Sequence, residues 1–229
     1  NSYSKIITWD NLQPEEVLFE SCNIGESDLA YVISESNILN AINSKIQKKS
    51  IKFEDINNLD DNLNKYDYAI NTINNNHSST CSESRYKTNY EQKAIVMNID
   101  VDNSSNVAYQ KFLDGQILGL IPISDKSYNL IWSVDDKKTD NIIKKTKNEM
   151  IHFLNSELEG KIGKIRDCSS YDIFPLFGYL GKDCFNEKII YIGSALHSIH
   201  PLAGLGLNMG LQDIYCLTSK VKKNSKHID

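Results

Sequence analysis

The 229-residue sequence has no C-x-x-C pair, no G-x-G-x-x-G, no catalytic triad or carboxylate pair, and no excess of basic residues. Its five cysteines, Cys22, Cys81, Cys168, Cys184 and Cys216, are odd in number and dispersed. In a chain this long such a set is not a disulfide framework, and it predicts a reducing compartment. His77, His152, His197, His200 and His227 show no ligand spacing with those cysteines, so no metal centre is expected. No uninterrupted apolar stretch reaches the roughly 18 residues a membrane helix needs. Lys and Arg total 25 against 30 Asp and Glu, a formal charge of -5, which argues against a nucleic-acid surface. The charges are also scattered, and "DDKKTDNIIKKTKNEM" reads as a solvated helix face. Stretches rich in Asn, Ile, Lys and Ser, such as "NTINNNHSST", read as compositional background. The opening "NSYSKIITWD" lacks an initiator Met and resembles the interior of a strand, so the chain is expected to begin partway through a fold.

What is present has a clear order. "SKIITWD" and "EEVLFES" are short β-rich runs either side of a Pro-containing turn, and "LAYVIS" is a further strand candidate. Ser34 or Ser36 can cap a helix carrying Ile38, Leu39, Ile42 and Ile46 at helical spacing. "KYDYAINTI" suits a short buried strand. From about Tyr90 the period changes, and "KAIVMNIDV", "NVAYQKFL", "QILGLIPI" and "YNLIWSV" are four strands in succession. Asp114-Gly115 and "SDKS" supply hairpin turns, so the sheet is expected to be antiparallel. A single helix over 139–159 is predicted next, with Thr139 as N-cap and Gly160 at its close. Its apolar stripe is Ile142, Ile143, Met150, Phe153, Leu154 and Leu158. "SYDIFPLF" and "KIIYIG" are further strands, and a last helix runs from near Gly206 through "LQDIYCLTSKVKK".

The glycine-rich stretch "YIGSALHSIHPLAGLGLNMGLQD" separates two readings. In a dinucleotide fingerprint the first glycine follows its strand almost at once. Here the strand ends near Gly193 and the next glycine is Gly204, with Pro201 between, so the fingerprint is excluded. The spacing instead describes a loop that runs flat and enters a helix at Gly206–Asn208, where glycines admit close approach of a planar ligand. Free N–H groups and the dipole of the first helical turn would stabilise negative charge there. The competing reading is a tight strand-to-helix connection whose glycines, Gly206 among them, serve a positive φ.

This stretch resembles the last flavin motif of FAD-dependent aromatic monooxygenases of the p-hydroxybenzoate hydroxylase type, written G-D-A-A-H, then P-x-x-G-x-G-x-N, then a helix with an Asp. It is most similar to that of the ubiquinone-biosynthesis hydroxylases. "FPLFGYL" resembles the family's aromatic-P-L strand end. The run from Tyr90 to Trp132 resembles its substrate-domain sheet, with Gln92, Phe112, Gly115 and Pro122 in place. The implied fold is mixed α/β and α+β. An incomplete FAD/NAD(P)-binding domain (27–88 and 179–229) is interleaved with an antiparallel substrate domain (strands in 1–26, then 89–178). The resemblance implies that Gly193, Ser194, Pro201, Gly204, Gly206, Leu207 and Asn208 contact FAD, with the backbone near Leu207 and Asn208 facing the ring's pyrimidine edge. It implies no side-chain acid or base; His197 and His200 are expected to hold the loop in place. It also implies a prenylated aromatic substrate, O₂ and an electron donor, NAD(P)H or a ferredoxin system. A ubiquinone-biosynthesis complex and a peripheral membrane contact belong to the same expectation. So does a mitochondrial location on the matrix side of the inner membrane in a eukaryote, and a cytoplasmic one otherwise.

Four departures accompany the likeness. The resemblance places the family's G-x-G-x-x-G ahead of Asn1, and without it the 229 residues alone are expected to bind FAD weakly. The family's G-D is Gly193-Ser194, a hydroxyl where a carboxylate accepts from the ribityl chain. A middle Asp-Gly is replaced within "DYAINTINNNHSS", where Asn74–Asn76 are expected to make the turn, and Leu205 stands where Gln is usual. These departures leave open a non-catalytic relative that keeps the fold as a binding or scaffold subunit. A stand-alone NAD module lacks its fingerprint.

Overall fold

A computed structural model describes residues 1–12, 15–46, 51, 65–73, 84–102, 105–158 and 160–224. The expected Asn74–Asn76 turn, and His77, Cys81 and His227, lie outside the described residues. In chain order the first elements are β1 (Ser2–Tyr3), β2 (Lys5–Asp10), β3 (Val17–Glu20), β4 (Ala30–Tyr31), α1 (Glu35–Lys45) and β5 (Ala69–Asn71). Then come β6 (Ser84–Val101), β7 (Val107–Leu113), β8 (Gln116–Ser124), β9 (Ser127–Asp135), α2 (Asp136–Ile143) and α3 (Lys147–Glu157). The last are β10 (Ile165–Cys168), β11 (Asp172–Gly181), β12 (Phe185–Asn186), β13 (Ile189–Tyr191), β14 (His197–Ser198) and α4 (Leu205–Asn224). The chain divides into two compact units, one of Asn1–Ile51 with Glu91–Pro175 and one of Lys52–Tyr90 with Leu176–Asp229.

The first unit is built on a mainly antiparallel sheet in the order β6-β9-β8-β7-β2-β3, with β10 also on β6. The hairpins fall where the turn residues place them: Asp114-Gly115 joins β7 to β8, and Asp125-Lys126 joins β8 to β9. Strand β6 pairs not with β7, its successor, but with β9, from Gln92↔Asp135 to Asp100↔Ser127. Strand β2 joins β7 in parallel, Lys5↔Val107 to Asp10↔Phe112. Gln92 and Gly115 meet, the Gln92 Nε2 donating to the Gly115 carbonyl at 2.9 Å.

Alternation places Ile95, Met97, Ile99 and Val101 of β6, and Tyr128, Leu130, Trp132 and Val134 of β9, in the core. Ile142 of α2 and Met150 and Leu154 of α3 pack against them, as does Leu158, and Trp132 stacks on Phe153 with centroids 5.3 Å apart. The expected stripe is thus a core stripe, but the single helix over 139–159 is two. Asp135 caps α2, its Oδ1 accepting from the Lys137 N–H at 2.8 Å. Thr146 opens α3 in a capping box with Glu149. Thr139 is no cap: it is buried inside α2, its hydroxyl donating to the Asp135 carbonyl at 3.0 Å. The T-x-x-E of Thr146–Glu149 was the sequence signal for the break.

Residues 27–51 group with the first unit, not with 65–88. Their N–H groups reach back to the chain start, Leu29 to the Tyr3 carbonyl at 2.8 Å and Val32 to that of Asn1 at 2.7 Å, beside the β1–β4 pair. Ser34 caps α1, accepting from the Asn37 N–H. Helix α1 buries none of its residues, and Leu39 and Ile42 of the expected stripe are about half exposed.

In the second unit β5 and β13 form a parallel pair, Ala69↔Ile189 to Asn71↔Tyr191, with β12 antiparallel on β13. The expected buried strand in "KYDYAINTI" is only three residues, and Ile70 within it is exposed. Strand β14 pairs with the end of β11, Leu180↔His197 and Tyr179↔Ser198.

Candidate functional site

The site grows out of the end of β13. The Ile192 N–H continues the ladder to the Asn71 carbonyl at 3.1 Å. The chain then turns at Gly193, whose φ of 58° is left-handed, into a 3₁₀ turn closed by the Leu196 N–H on the Gly193 carbonyl. The Ser194 hydroxyl donates to the Thr72 carbonyl at 2.8 Å, tying this turn to the end of β5. After β14 a second 3₁₀ turn, Pro201–Ala203, carries Pro at its first position. Left-handed Gly204 (φ 60°) closes it by donating to the Pro201 carbonyl at 3.0 Å. Helix α4 starts at the next residue.

All seven expected site residues therefore lie in one segment of the second unit. Gly193 and Ser194 form the exit of β13, Pro201 and Gly204 form the turn, and Gly206, Leu207 and Asn208 stand in the first turn of α4. From Gly204 to Asn208 every residue is exposed. The two central glycines differ in kind. Gly204 needs its positive φ. Gly206 does not: it is helical, contrary to the expectation that it serves a left-handed turn, and a Cβ built on it meets nothing within 4 Å. Neither its backbone conformation nor packing against the described residues asks for glycine at 206. The first-turn amides beside it have no acceptor within their own helix, and the positive end of the helix dipole lies there.

Two histidines hold the segment. His197 is buried, and its Nε2 lies 2.7 Å from Asp213 Oδ2, which also accepts the Gly193 N–H at 2.8 Å. The His200 ring meets Tyr90 edge-on at 5.2 Å, and burial pushes its pKa below the ordinary value, favouring the neutral ring. Asp213 and Thr72 were not among the expected site residues. Asp213 had a signal, the helix Asp of the resembled motif, whereas Thr72 acts through its backbone carbonyl and had none. Among the described residues no group of His, Cys, Asp and Glu could hold a metal ion. The surface offers backbone donors, a helix N-terminus and exposed leucines, which suit a flat ligand that gains negative charge. The isoalloxazine ring of FAD is such a ligand.

The chain belongs to the FAD-binding domain family, whose model matches residues 78–226, more than half of its length. FAD is that family's cofactor. The chain is 27% identical over 165 residues to the ubiquinone biosynthesis monooxygenase COQ6 of Rattus norvegicus, covering 56% of this chain and 34% of that protein. It is 27% identical over 109 residues to the ubiquinone hydroxylase UbiM of Neisseria meningitidis, covering 48% of this chain and 24% of that one. It thus spans about a third or less of the length of these curated relatives. Among solved structures the flavin-dependent brominase Bmp2 superposes with a TM-score of 0.67 at 10% identity, over 93% of this chain and 60% of that one, a likeness of fold.

Proposed function

We propose that the segment 193–208 receives the isoalloxazine and ribityl parts of FAD in a monooxygenase that hydroxylates the aromatic ring of a prenylated ubiquinone precursor. The observation that carries the reading is Gly206, a glycine at a helix N-terminus beside which the described residues leave open space and to which they give no structural need. Similarity to COQ6 and UbiM supports the substrate class. Pro201, Gly204 and Gly206 line the approach. The amides near Leu207 and Asn208 donate to the pyrimidine edge, and Gly193 and Ser194 stand by the ribityl chain. The Ser194 hydroxyl donates its hydrogen bond to the Thr72 carbonyl, so its lone pairs remain for a ribityl hydroxyl. When bound, FAD supplies oxygen transfer from O₂, and the chain's residues orient the ring and exclude water from it.

The antiparallel unit is assigned to the substrate, and 179–229 with residues near β5 to the flavin. Partners would be the prenylated ring, O₂ and a reductant, NAD(P)H or a ferredoxin system, with a ubiquinone-biosynthesis complex and membrane surface as further contacts. The location is mitochondrial if the source is eukaryotic and cytoplasmic if bacterial. The test is FAD titration of the full-length protein and its Gly206→Val variant, followed by flavin fluorescence beside thermal unfolding. Loss of FAD binding at unchanged melting temperature is expected. Equal FAD affinity in the two proteins, or loss of fold in the variant, would show the loop to be a connector.

A further inference from the structure

We propose that Asp213 and His197 are positioning residues that set the distance between the Gly193–Ser194 turn and the N-terminus of α4. The inference rests on the flavin reading and specifies how this chain holds the two halves of that surface in register. A single carboxylate oxygen of Asp213 takes two partners, the Gly193 N–H at 2.8 Å and the His197 Nε2 at 2.7 Å. An ionised carboxylate only accepts, so Nε2 carries the ring proton in this arrangement. One side chain of α4 is thereby bonded to the exit of β13 and to β14 together.

The helix geometry turns that bond into a ruler. Gly206, Gly210 and Asp213 are spaced i, i+4, i+7 and share one face of α4. At Gly210 a Cβ would stand 3.6 Å from the Gly193 Cα, so the helix passes close to the turn there. Asp213 fastens that contact one turn further on. Gly206 lies about 10 Å back along the axis from Asp213, at 1.5 Å per residue. Fixing Asp213 on Gly193 therefore fixes Gly206 relative to Ser194, the two residues assigned to opposite parts of the flavin. The left-handed Gly193 has its own N–H aimed into the helix by the same bond.

The experiment compares the full-length protein with its Asp213→Asn, Asp213→Ala and His197→Gln variants. FAD affinity, the visible spectrum and midpoint potential of bound flavin, and thermal unfolding are read for each. An Asn at 213 keeps a carbonyl oxygen with two lone pairs but no charge, so it offers both partners only the weaker neutral hydrogen bond. Roughly tenfold weaker FAD binding is expected for Asp213→Asn, together with a shifted spectrum and potential, which loss of stability alone would not produce. His197→Gln should move the same quantities less, and combining it with Asp213→Asn should add little. Unchanged affinity, spectrum and potential in variants that fold would overturn the inference and leave the flavin reading intact. A full-length wild type that takes up no FAD would overturn both. Amide exchange on the wild type needs no variant to fold: a slowly exchanging Gly193 N–H is expected, and a fast one sinks the clamp.

Discussion

At the scale of single residues, two glycines two positions apart should respond oppositely to alanine. Gly204→Ala forces a left-handed φ on a side chain and should lower stability by about 1 kcal/mol. Gly206→Ala meets open space in a helical turn and should raise stability by up to about 1 kcal/mol. Chemical denaturation of both variants checks the sign, and destabilisation by both would mean that Gly206 serves the fold after all. Ser194→Asp gives up the bond to the Thr72 carbonyl, about 1 kcal/mol, and gains a charged acceptor for a ribityl hydroxyl, about 1.5–3 kcal/mol. Tighter FAD binding with a slightly lower melting temperature is therefore expected. A titration showing weaker binding would remove the ribityl chain from Ser194.

At the scale of elements, the region read as one helix owes its two-part form to caps. Thr146→Ala removes the side-chain acceptor for the Glu149 N–H and should cost about 1 kcal/mol, measured as a shift in denaturant midpoint. Leu154, fully buried where α3 meets the sheet, should cost 2–5 kcal/mol as Leu154→Ala, roughly the range for such cavities. Lys111 is an element-level feature that no pattern disclosed. It is buried in β7, yet its Nζ donates to the Glu157 carbonyl at the end of α3 at 2.5 Å. It thereby satisfies a carbonyl at the end of the helix that the helix itself leaves open.

At the scale of the whole molecule, acid should weaken the fold. Asp102 is held below the usual carboxylate range by Arg166, which donates from Nε and Nη2 at 2.6 and 2.8 Å. Asp167 is lowered by Lys147, and Glu149 by its bond from the Thr146 backbone. A carboxylate whose folded pKa is depressed contributes stability that is present above the unfolded value, near pH 4, and lost as the pH falls through the folded one. A melting temperature that holds above about pH 5 and declines below pH 4 is expected. A flat profile down to pH 2 would exclude these pairs from the balance. The molecule also exposes large apolar side chains on α4, among them Leu207, Leu211, Ile214 and Tyr215. The 229-residue chain should therefore bind a hydrophobic dye such as ANS in its folded state. Fluorescence no higher than that of a compact control protein would contradict this.

The alternation of Ile95, Met97, Ile99 and Val101, the Asp114-Gly115 turn and a serine cap at 34 or 36 are local, and each was legible because neighbouring residues alone determine it. The glycine stretch was legible in part, as a strand exit leading into a helix, but the run expected to be flat holds two 3₁₀ turns, and the helix opens at Leu205. What tertiary structure decided is what depends on residues far apart in the chain. That β9 rather than β7 lies beside β6, and that β2 adds in parallel to β7, follow from which apolar faces meet across the sheet. No window of sequence holds both partners. The attachment of residues 29–32 to the chain start is likewise a matter of backbone bonds between distant segments. The same reason explains the site. The sequence marks Gly204 and Gly206 alike, but only the fold distinguishes a glycine held by its φ from one left beside open space. Only the fold sets Asp213 against Gly193, twenty residues away, because a helix face and a strand exit must first be packed together before one oxygen can bond to both.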